Sequence, residues 1–391
     1  MRLLMISGAG ASSLVQGKRG AFYSTLEEFH KYWERIDVIC PAVTTINYQL
    51  PTTNYFGNVF IHPSPRPLIM QPLWILKKGR ELYREHKFDL ITVHEFPPFY
   101  NGIGARLLWN KIHVPYVLEI HHVPGYPKAA GLKERLYKIA MQRFIKYDVA
   151  KARAVRVVNQ HQVPDFLTNA GVPAEKIKYI PSAYIDLETF RPMPEVEKKY
   201  DLVFAARLEK NKGVGLLLDA VASLKIQVPS LNLLIIGDGP ERQNLEERIE
   251  ALGLENNVIL TGWLPTVGDV ARAYNSARIF INPSLNEGGP RVALEAMACG
   301  LPVITTPVGL MIDVIKNGSP STTLQDSKVV LGKNGLITNW EPEDMANKIL
   351  YLLNDRQLQV RFSAASLELV KQFEKQSVIR NYALKLRGPV T

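Results

Sequence analysis

Ala277-Arg-Ile-Phe-Ile-Asn282 reads as a strand that delivers the chain to a turn containing Glu287 and two glycines. Pro290 stands where a first helical residue belongs, because its missing N–H is an orphan there in any helix. An Ala/Leu/Met-rich helix follows and stops at Gly300, and Leu301-Pro-Val-Ile-Thr-Thr306 is the next strand. A strand, a short buried helix and a second strand in so few residues demand parallel α/β architecture. Two carboxylates flank the start of that helix, Glu287 in the loop before it and Glu295 five residues inside it. At a rise of ~1.5 Å per residue, Glu295 lies roughly 8 Å along the axis from Pro290. That separation is too large for one bond-cleaving centre and suits gripping two ends of an extended ligand. Between them the helix N-terminus offers free N–H groups and a positive dipole end to an anion such as a diphosphate.

The same alternation runs along the whole chain. Expected strands in the first half are 3–7, 37–40, 90–94, 116–120, 155–159 and 177–181, with helices at 25–35, 73–86, 102–110 and 132–146. The second half repeats the pattern with strands at 201–205, 231–237, 258–261, 279–282, 302–305 and 335–337. Its expected helices are 214–224, 240–252, 267–276, 290–298 and 343–353, and a last helix is expected over roughly 363–386. Phe190-Arg-Pro-Met-Pro-Glu-Val-Glu-Lys-Lys199 has the prolines and charges of a linker. With 391 residues the expectation is an N-terminal domain over 1–183, a linker over 184–198, a second domain over 199–370 and a terminal helix over 371–391.

Other function classes lose ground to composition. Cys40 and Cys299 are the two cysteines, which leaves no disulfide framework and no metal-ligand spacing. No stretch reaches the ~20 apolar residues that span a bilayer, and the N-terminal Met-Arg-Leu-Leu-Met-Ile-Ser-Gly reads as a strand rather than a signal peptide. A cytoplasmic location is expected. Residues 1–198 hold 26 Lys+Arg against 17 Asp+Glu, and 199–391 hold 21 against 20, so the net +10 belongs almost wholly to the first half. Such asymmetry points that half at an anionic surface or acceptor. No recognition motif accompanies it, so nucleic acid is not expected as a partner.

Glu287-x7-Glu295, with Asn-Pro-Ser before it and Glu-Ala-Met-Ala-Cys-Gly-Leu-Pro-Val after it, resembles the signature of retaining, nucleotide-sugar-dependent glycosyltransferases of the GT-B fold, family 4. The resemblance implies two Rossmann-like doubly wound parallel-sheet domains facing a cleft at the carboxyl ends of both sheets. It also implies that the last helix crosses back onto the N-terminal domain. It implies a donor site as well: Arg207 and Lys212, in Arg-Leu…Lys-Gly, on the diphosphate; Glu287 on the sugar; and Glu295 on the ribose hydroxyls. Lys210 reads as solvated. Gly288, Gly289 and Pro290 would line the helix start, and here the sequence departs from the more usual Glu-Gly-Phe/Ser-Gly. Pro290 cannot donate an N–H, so a backbone contact there would be lost or shifted.

In similar members a histidine ending an N-domain strand touches the donor sugar, and His121 occupies that position. Gly8 and Gly20 are candidate phosphate contacts in a glycine-rich loop over 7–24 that would order on donor binding. Ile235-Ile-Gly237-Asp-Gly239-Pro lacks the third glycine of a dinucleotide fingerprint and resembles a structural turn. Thr261-Gly262-Trp263 lies where the family holds the base. The expected partners are a UDP- or GDP-sugar and a hydroxyl acceptor: a glycan, a lipid-linked molecule or a small molecule. Nine cations over Lys128–Arg156, interleaved with Leu132, Leu136, Ile139, Phe144 and Ile145, suit the inner face of an anionic membrane. No Asp-x-Asp arrangement is present, so no metal or other cofactor is expected. Two alternatives stay open: a GT-B sugar-nucleotide isomerase of the 2-epimerase type, and a non-catalytic GT-B-like binding protein.

Overall fold

Apolar strands covered on both faces require helices on both sides, and the chain supplies them twice. The computed structural model describes residues 1–42, 52–316 and 330–388. Among these the chain divides into two compact units. The first comprises Met1–Val123, Leu136–Ser182 and Gln376–Thr391, and the second Pro124–Arg135 and Ala183–Lys375.

The strands of the first unit are β1 (Arg2–Ile6), β2 (Arg35–Cys40), β3 (Thr53–Tyr55), β4 (Val59–Pro63), β5 (Leu90–His94), β6 (Tyr116–Ile120), β7 (Ala154–Val157) and β8 (Ile177–Tyr179). They form one sheet in the order β3-β4-β2-β1-β5-β6-β7-β8. All neighbours are parallel except β3 against β4. Helices α1 (Ala9–Val15), α2 (Ala21–Phe29), α3 (Gln71–His86), α4 (Tyr100–Ile112), α5 (Leu132–Val149) and α6 (Gln162–Asn169) connect them.

In the second unit β9 (Tyr200–Ala205), β10 (Leu233–Ile236), β11 (Val258–Leu260), β12 (Ala277–Asn282), β13 (Val303–Thr305), β14 (Val330–Leu331) and β15 (Gly335–Ile337) lie in the order β11-β10-β9-β12-β13-β15-β14. Its helices are α7 (Val214–Leu224), α8 (Arg242–Ala251), α9 (Val267–Asn275), α10 (Arg291–Ala298), α11 (Leu310–Lys316), α12 (Pro342–Asn354) and α13 (Arg356–Val370). Strand alternation sorts the core into two layers. Val203, Ala205, Leu234, Ile236 and Phe280 pack on one face, and Leu202, Phe204, Leu233, Ile235, Ile279 and Ile281 on the other. Both sheets are doubly wound: strand order reverses between β1 and β5 in one and between β9 and β12 in the other. Loops at such a reversal diverge and leave a crevice at the carboxyl ends of the strands.

The structure corrects several boundaries. The expected loop over 7–24 contains α1, whose Ala11 and Leu14 are buried, and α2 begins at Ala21 rather than Thr25. The second helix cannot reach Arg35, because Arg35 already pairs with Arg2 in the sheet. The expected terminal helix is two helices: α13 ends at Val370, a 3-10 turn covers Lys371–Phe373, and α14 (Lys375–Arg387) follows. Within the stretch expected as linker, Ile185 and Phe190 are buried in the core of the second unit.

From Gln376 onward the chain belongs to the first unit. Tyr382 of α14 stacks on Phe29 at 4.8 Å between ring centroids, and the Arg156 guanidinium carbon lies 3.6 Å above its ring. Its hydroxyl donates to Glu119, which also pairs with Arg156 at 3.0 Å. Arg156 spends its other donors on the carbonyls of Ile180 and Pro181. This buried knot therefore ties β6, β7, α14 and the exit from β8 together. Tyr382→Phe removes one hydrogen bond to a charged acceptor whose ion pair survives. We expect a loss of about 1.5–3 kcal/mol in unfolding free energy, measured by chemical denaturation; an unchanged midpoint would deny the hydroxyl its role.

A second buried polar group closes the first unit's core. Glu95, just beyond β5, and Asp148 of α5 meet beside Gly102 of α4. A Cβ on Gly102 would lie 2.0 Å from Glu95 Oε2 and 2.6 Å from Asp148 Cγ. Glu95 Oε1 accepts the Phe96 N–H at 2.9 Å, while Oε2 and both Asp148 carboxylate oxygens have no conventional donor. A proton on one acid would satisfy two of these three oxygens, its O–H donating to the other acid. Burial pushes the Asp148 carboxyl up to about 8, and burial together with Asp148 holds Glu95 well above the carboxylate range.

Candidate functional site

The second unit's crevice is built by two loops that leave adjacent strands. After β9 the chain makes a 3-10 turn at Lys210–Lys212 and enters α7 through Gly213, whose φ is +69°. After β12 it runs Pro283–Pro290 into α10. The loops are zipped: the Leu285 N–H donates to the Asn211 carbonyl at 2.7 Å, and the Lys212 ammonium donates to Glu287 Oε1. A Cβ on Gly213 would sit 2.1 Å from the Pro283 carbonyl oxygen, so glycine is required by close approach as well as by its left-handed backbone. Lys212 and Glu287, 75 residues apart in sequence, are thus in direct contact. Their side chains are only 18% and 15% exposed, so the pair is far less screened than a surface ion pair.

Three residues that sequence reasoning missed hold this arrangement. The Ser284 hydroxyl lies 3.2 Å from Glu287 Oε1. The Ser284 carbonyl accepts the Trp340 indole N–H at 2.9 Å. Gly309, with φ +48°, packs so closely under the turn that a Cβ would meet the Gly288 carbonyl oxygen at 2.2 Å, and the Leu310 N–H donates to that carbonyl at 3.0 Å. The signal available was Pro307-Val-Gly309 directly after β13.

Pro290 is the N-cap of α10, with ψ at 99°, and Arg291 is the first helical residue. This corrects the expectation that Pro290 opens the helix. Its lost N–H therefore falls outside the helix, and Arg291 and Val292 supply the first helical N–H groups of the terminus. A Cβ on Gly289 would sit in ordinary contact with Leu310. Glu295, one and a half turns along, is half-buried; Tyr274 Oη lies 3.4 Å from its Oε2. Burial raises the Glu295 carboxyl above its usual range, while Arg291 and the Tyr274 hydroxyl oppose the shift. Arg207 is not part of the cluster: its side chain is 66% exposed and pairs with Glu209 at 3.2 Å. The structure brings Lys212 and Glu287 together, while Arg207 and Glu295 have other partners.

In the first unit, Gly8 and the end of β5 flank the strand reversal. A Cβ on Gly8 would lie 2.7 Å from the Phe96 ring, so a larger residue there would displace that ring. Gly20 is different: it caps α2 with a negative φ, and a Cβ would meet nothing within 4 Å. His121 follows β6 and its ring lies 4.5 Å from that of His94. Its Nε2 is buried without a hydrogen-bond partner. Burial, His94, Arg156 and His122 all disfavour its cation, so His121 is a neutral imidazole at pH 7.

Not every cation of the basic stretch Lys128–Arg156 reaches the surface. Arg156 is buried in its pair with Glu119, and Lys128 lies 5.6 Å from the Trp340 ring centre. Ile145 is core, whereas Leu132, Leu136 and Ile139 are exposed. No helix among the described residues is long and apolar enough to cross a membrane.

Comparison with known proteins agrees with this geometry. Residues 186–368 match the family model described as glycosyl transferases group 1, and 24–186 match glycosyltransferase family 4. The uncharacterized glycosyltransferase MJ1059 of Methanocaldococcus jannaschii is 26% identical, covering 85% of this chain and 88% of its own. The sulfoquinovosyl transferase SQD2 of Arabidopsis thaliana is also 26% identical, covering 78% of this chain and 58% of its own length. Among solved structures, sucrose-phosphate synthase from Thermosynechococcus elongatus superposes with a TM-score of 0.77 at 17% identity, covering 99% of this chain and 98% of its own. Anabaena Alr3699/HepE, solved in complex with UDP and glucose, gives 0.71 at 19% identity and 99% coverage of both chains. Two doubly wound units, the Glu287-x7-Glu295 turn and both matches lead to one conclusion: the chain belongs to glycosyltransferase family 4 and has the GT-B fold.

Proposed function

We propose that this glycosyltransferase moves a sugar from a UDP- or GDP-sugar to a hydroxyl acceptor with retention of configuration. The observation that carries the reading is the Lys212–Glu287 pair at the β9/β12 reversal, set against the N-terminus of α10. Bond cleavage concentrates negative charge on the leaving diphosphate, and an ammonium, an arginine fork and free helix N–H groups suit it. Lys212 and the N–H groups of α10 hold the diphosphate in this reading, with Arg207 released from Glu209 to join them. Glu287 then accepts from sugar hydroxyls near the reacting carbon, where its charge favours oxocarbenium character. Glu295 accepts from the ribose diol; burial raises its carboxyl, and Arg291 opposes that shift. His121, Gly8 and Gly20 are assigned to the donor from the first unit; a neutral His121 can donate to a sugar oxygen or accept from a hydroxyl.

The acceptor hydroxyl passes its proton to the departing phosphate on the face the sugar leaves. No protein base and no metal is needed in this scheme, because Lys212 and Arg207 carry the neutralising charge. Uracil is the favoured base, since HepE was solved with UDP and with UDP-glucose.

The test is a panel of UDP- and GDP-sugars without acceptor, reading melting temperature and nucleotide release, with and without EDTA. One donor should raise the melting temperature and be hydrolysed slowly, at a rate EDTA leaves intact. Loss of hydrolysis in EDTA would end the metal-free scheme. Conversion of the donor to an epimer would make the protein an isomerase, and no response to any donor would remove the donor-site assignment.

A further inference from the structure

The loop that carries Glu287 is held from a second side, by a segment distant in sequence. Pro124–Arg135, the loop after β6 with the first turn of α5, belongs to the second unit and lies against Leu285 and Asn286. The Lys128 N–H donates to the Leu285 carbonyl at 3.3 Å. Asn286 is 1% exposed, and its side-chain amide donates to the Lys128 carbonyl and to Glu134 Oε2, each at 2.9 Å. Both amide protons are therefore used, and the Lys128 carbonyl, which can only accept, fixes the amide's orientation. Asn286 Oδ1 is buried with no partner. Among the described residues, this arm supplies every side-chain hydrogen bond that Asn286 makes.

The arm is itself closed by the same side chain. Glu134 Oε2 accepts the Ala130 N–H at 2.7 Å, and Gly125, with φ +77°, passes so close that a Cβ would lie 2.7 Å from the Glu134 carbonyl oxygen. One oxygen thus shapes the arm and grips the residue before Glu287. Three consecutive residues leading to Glu287 are tethered: Ser284 to the Trp340 indole, Leu285 to Asn211 and Lys128, and Asn286 to Lys128 and Glu134. The Lys212–Glu287 contact is one for which a bound diphosphate competes; the bonds from the arm are not. A carboxylate aimed at a reacting carbon needs such support from the residues behind it.

We propose that Glu134 is a positioning residue for sugar transfer: by fixing Asn286 it sets where the neighbouring Glu287 carboxylate stands against the donor sugar. The proposal rests on the assignment of Glu287 to that sugar. An orienting role needs an acceptor oxygen at one place, whereas an electrostatic role needs the charge of Glu134. Glutamine keeps the oxygen and removes the charge, so the two roles separate.

The experiment compares Glu134→Ala, Glu134→Gln and Glu287→Gln with the wild type, on the UDP- or GDP-sugar that the wild type hydrolyses. Turnover, calorimetric affinity for the matching UDP or GDP, and melting temperature are read for each. Glu134→Ala should lower kcat about tenfold, the cost of a sub-ångström misplacement at a reacting centre. Its affinity for the nucleotide, which carries no sugar, should not change. Glu134→Gln should turn over as the wild type does. Glutamine as slow as alanine would assign the effect to charge and overturn the proposal. It is equally overturned if Glu134→Ala loses turnover, nucleotide affinity and melting temperature together, which is the mark of packing alone. Full turnover in Glu134→Ala beside a collapsed Glu287→Gln overturns this proposal and leaves the donor-site reading standing. Full turnover in Glu287→Gln, or a wild type that hydrolyses no sugar nucleotide, removes the donor-site reading and this proposal with it.

Discussion

Lys212→Ala is expected to lower turnover about 10²–10³-fold, the usual cost of removing one preorganised donor from developing charge in a water-poor site. The same change should weaken UDP binding, because the ammonium meets the diphosphate in the bound state as well as at the transition state. Glu287→Gln should behave differently. Lys212 and Glu287 neutralise one another across the crevice, so the carboxylate competes with the diphosphate for the lysine. Neutralising it should therefore leave UDP affinity equal or tighter while turnover falls by a similar factor, since its charge is assigned to the sugar. Calorimetric UDP titration beside steady-state rates separates the two. Should both variants lose UDP affinity equally at unchanged turnover, the pair would be a structural clasp between two loops and the assigned roles would fail.

Raising the pH should destabilise the first unit through Glu95 and Asp148. The folded pKa of each is raised above the unfolded carboxyl value. The native state therefore holds a proton that the unfolded chain releases between roughly pH 4 and the value of about 8 to which burial pushes Asp148. Across that window unfolding free energy falls with pH, by up to about 1.4 kcal/mol per unit for one proton. Asp148→Asn places an amide N–H where an acid O–H would donate. The variant should match the wild type near the acid end and exceed it increasingly towards pH 8. Parallel melting profiles for the two proteins over this range would show that no proton is shared.

Much of the fold was legible because parallel sheets write long apolar runs, and runs such as Leu202–Ala205 and Ile279–Asn282 have no other stable use. Short elements were not. α1 has seven residues and two glycine neighbours, and β3 is three residues long at a sheet edge, where neither periodicity nor burial leaves a mark. At the site, Glu287 and Lys212 could be nominated from their motifs. Their mutual contact could not, because it depends on β9 and β12 being neighbours. Arg207 shows the opposite failure: its position after a strand was readable, while its pairing with Glu209 is a matter of rotamer. Arg156 read as one cation in a basic surface until β8 and α14 closed over it. Charge in a sequence is legible, but burial of charge requires partners from distant segments.

The position of α14 has a consequence for how this protein is made. A ribosome releases β1 to β8 first, yet Phe29, Glu119 and Arg156 wait for Tyr382, which emerges only after the entire second unit. Vectorial synthesis ordinarily lets an N-terminal unit finish before the next begins. Here the leading unit must stand open, with a charged pair lacking its lid, through the translation of nearly 200 further codons' worth of chain. Chaperone dependence should consequently fall on the part synthesised first, and a circularly permuted gene that begins with α14 should relieve it.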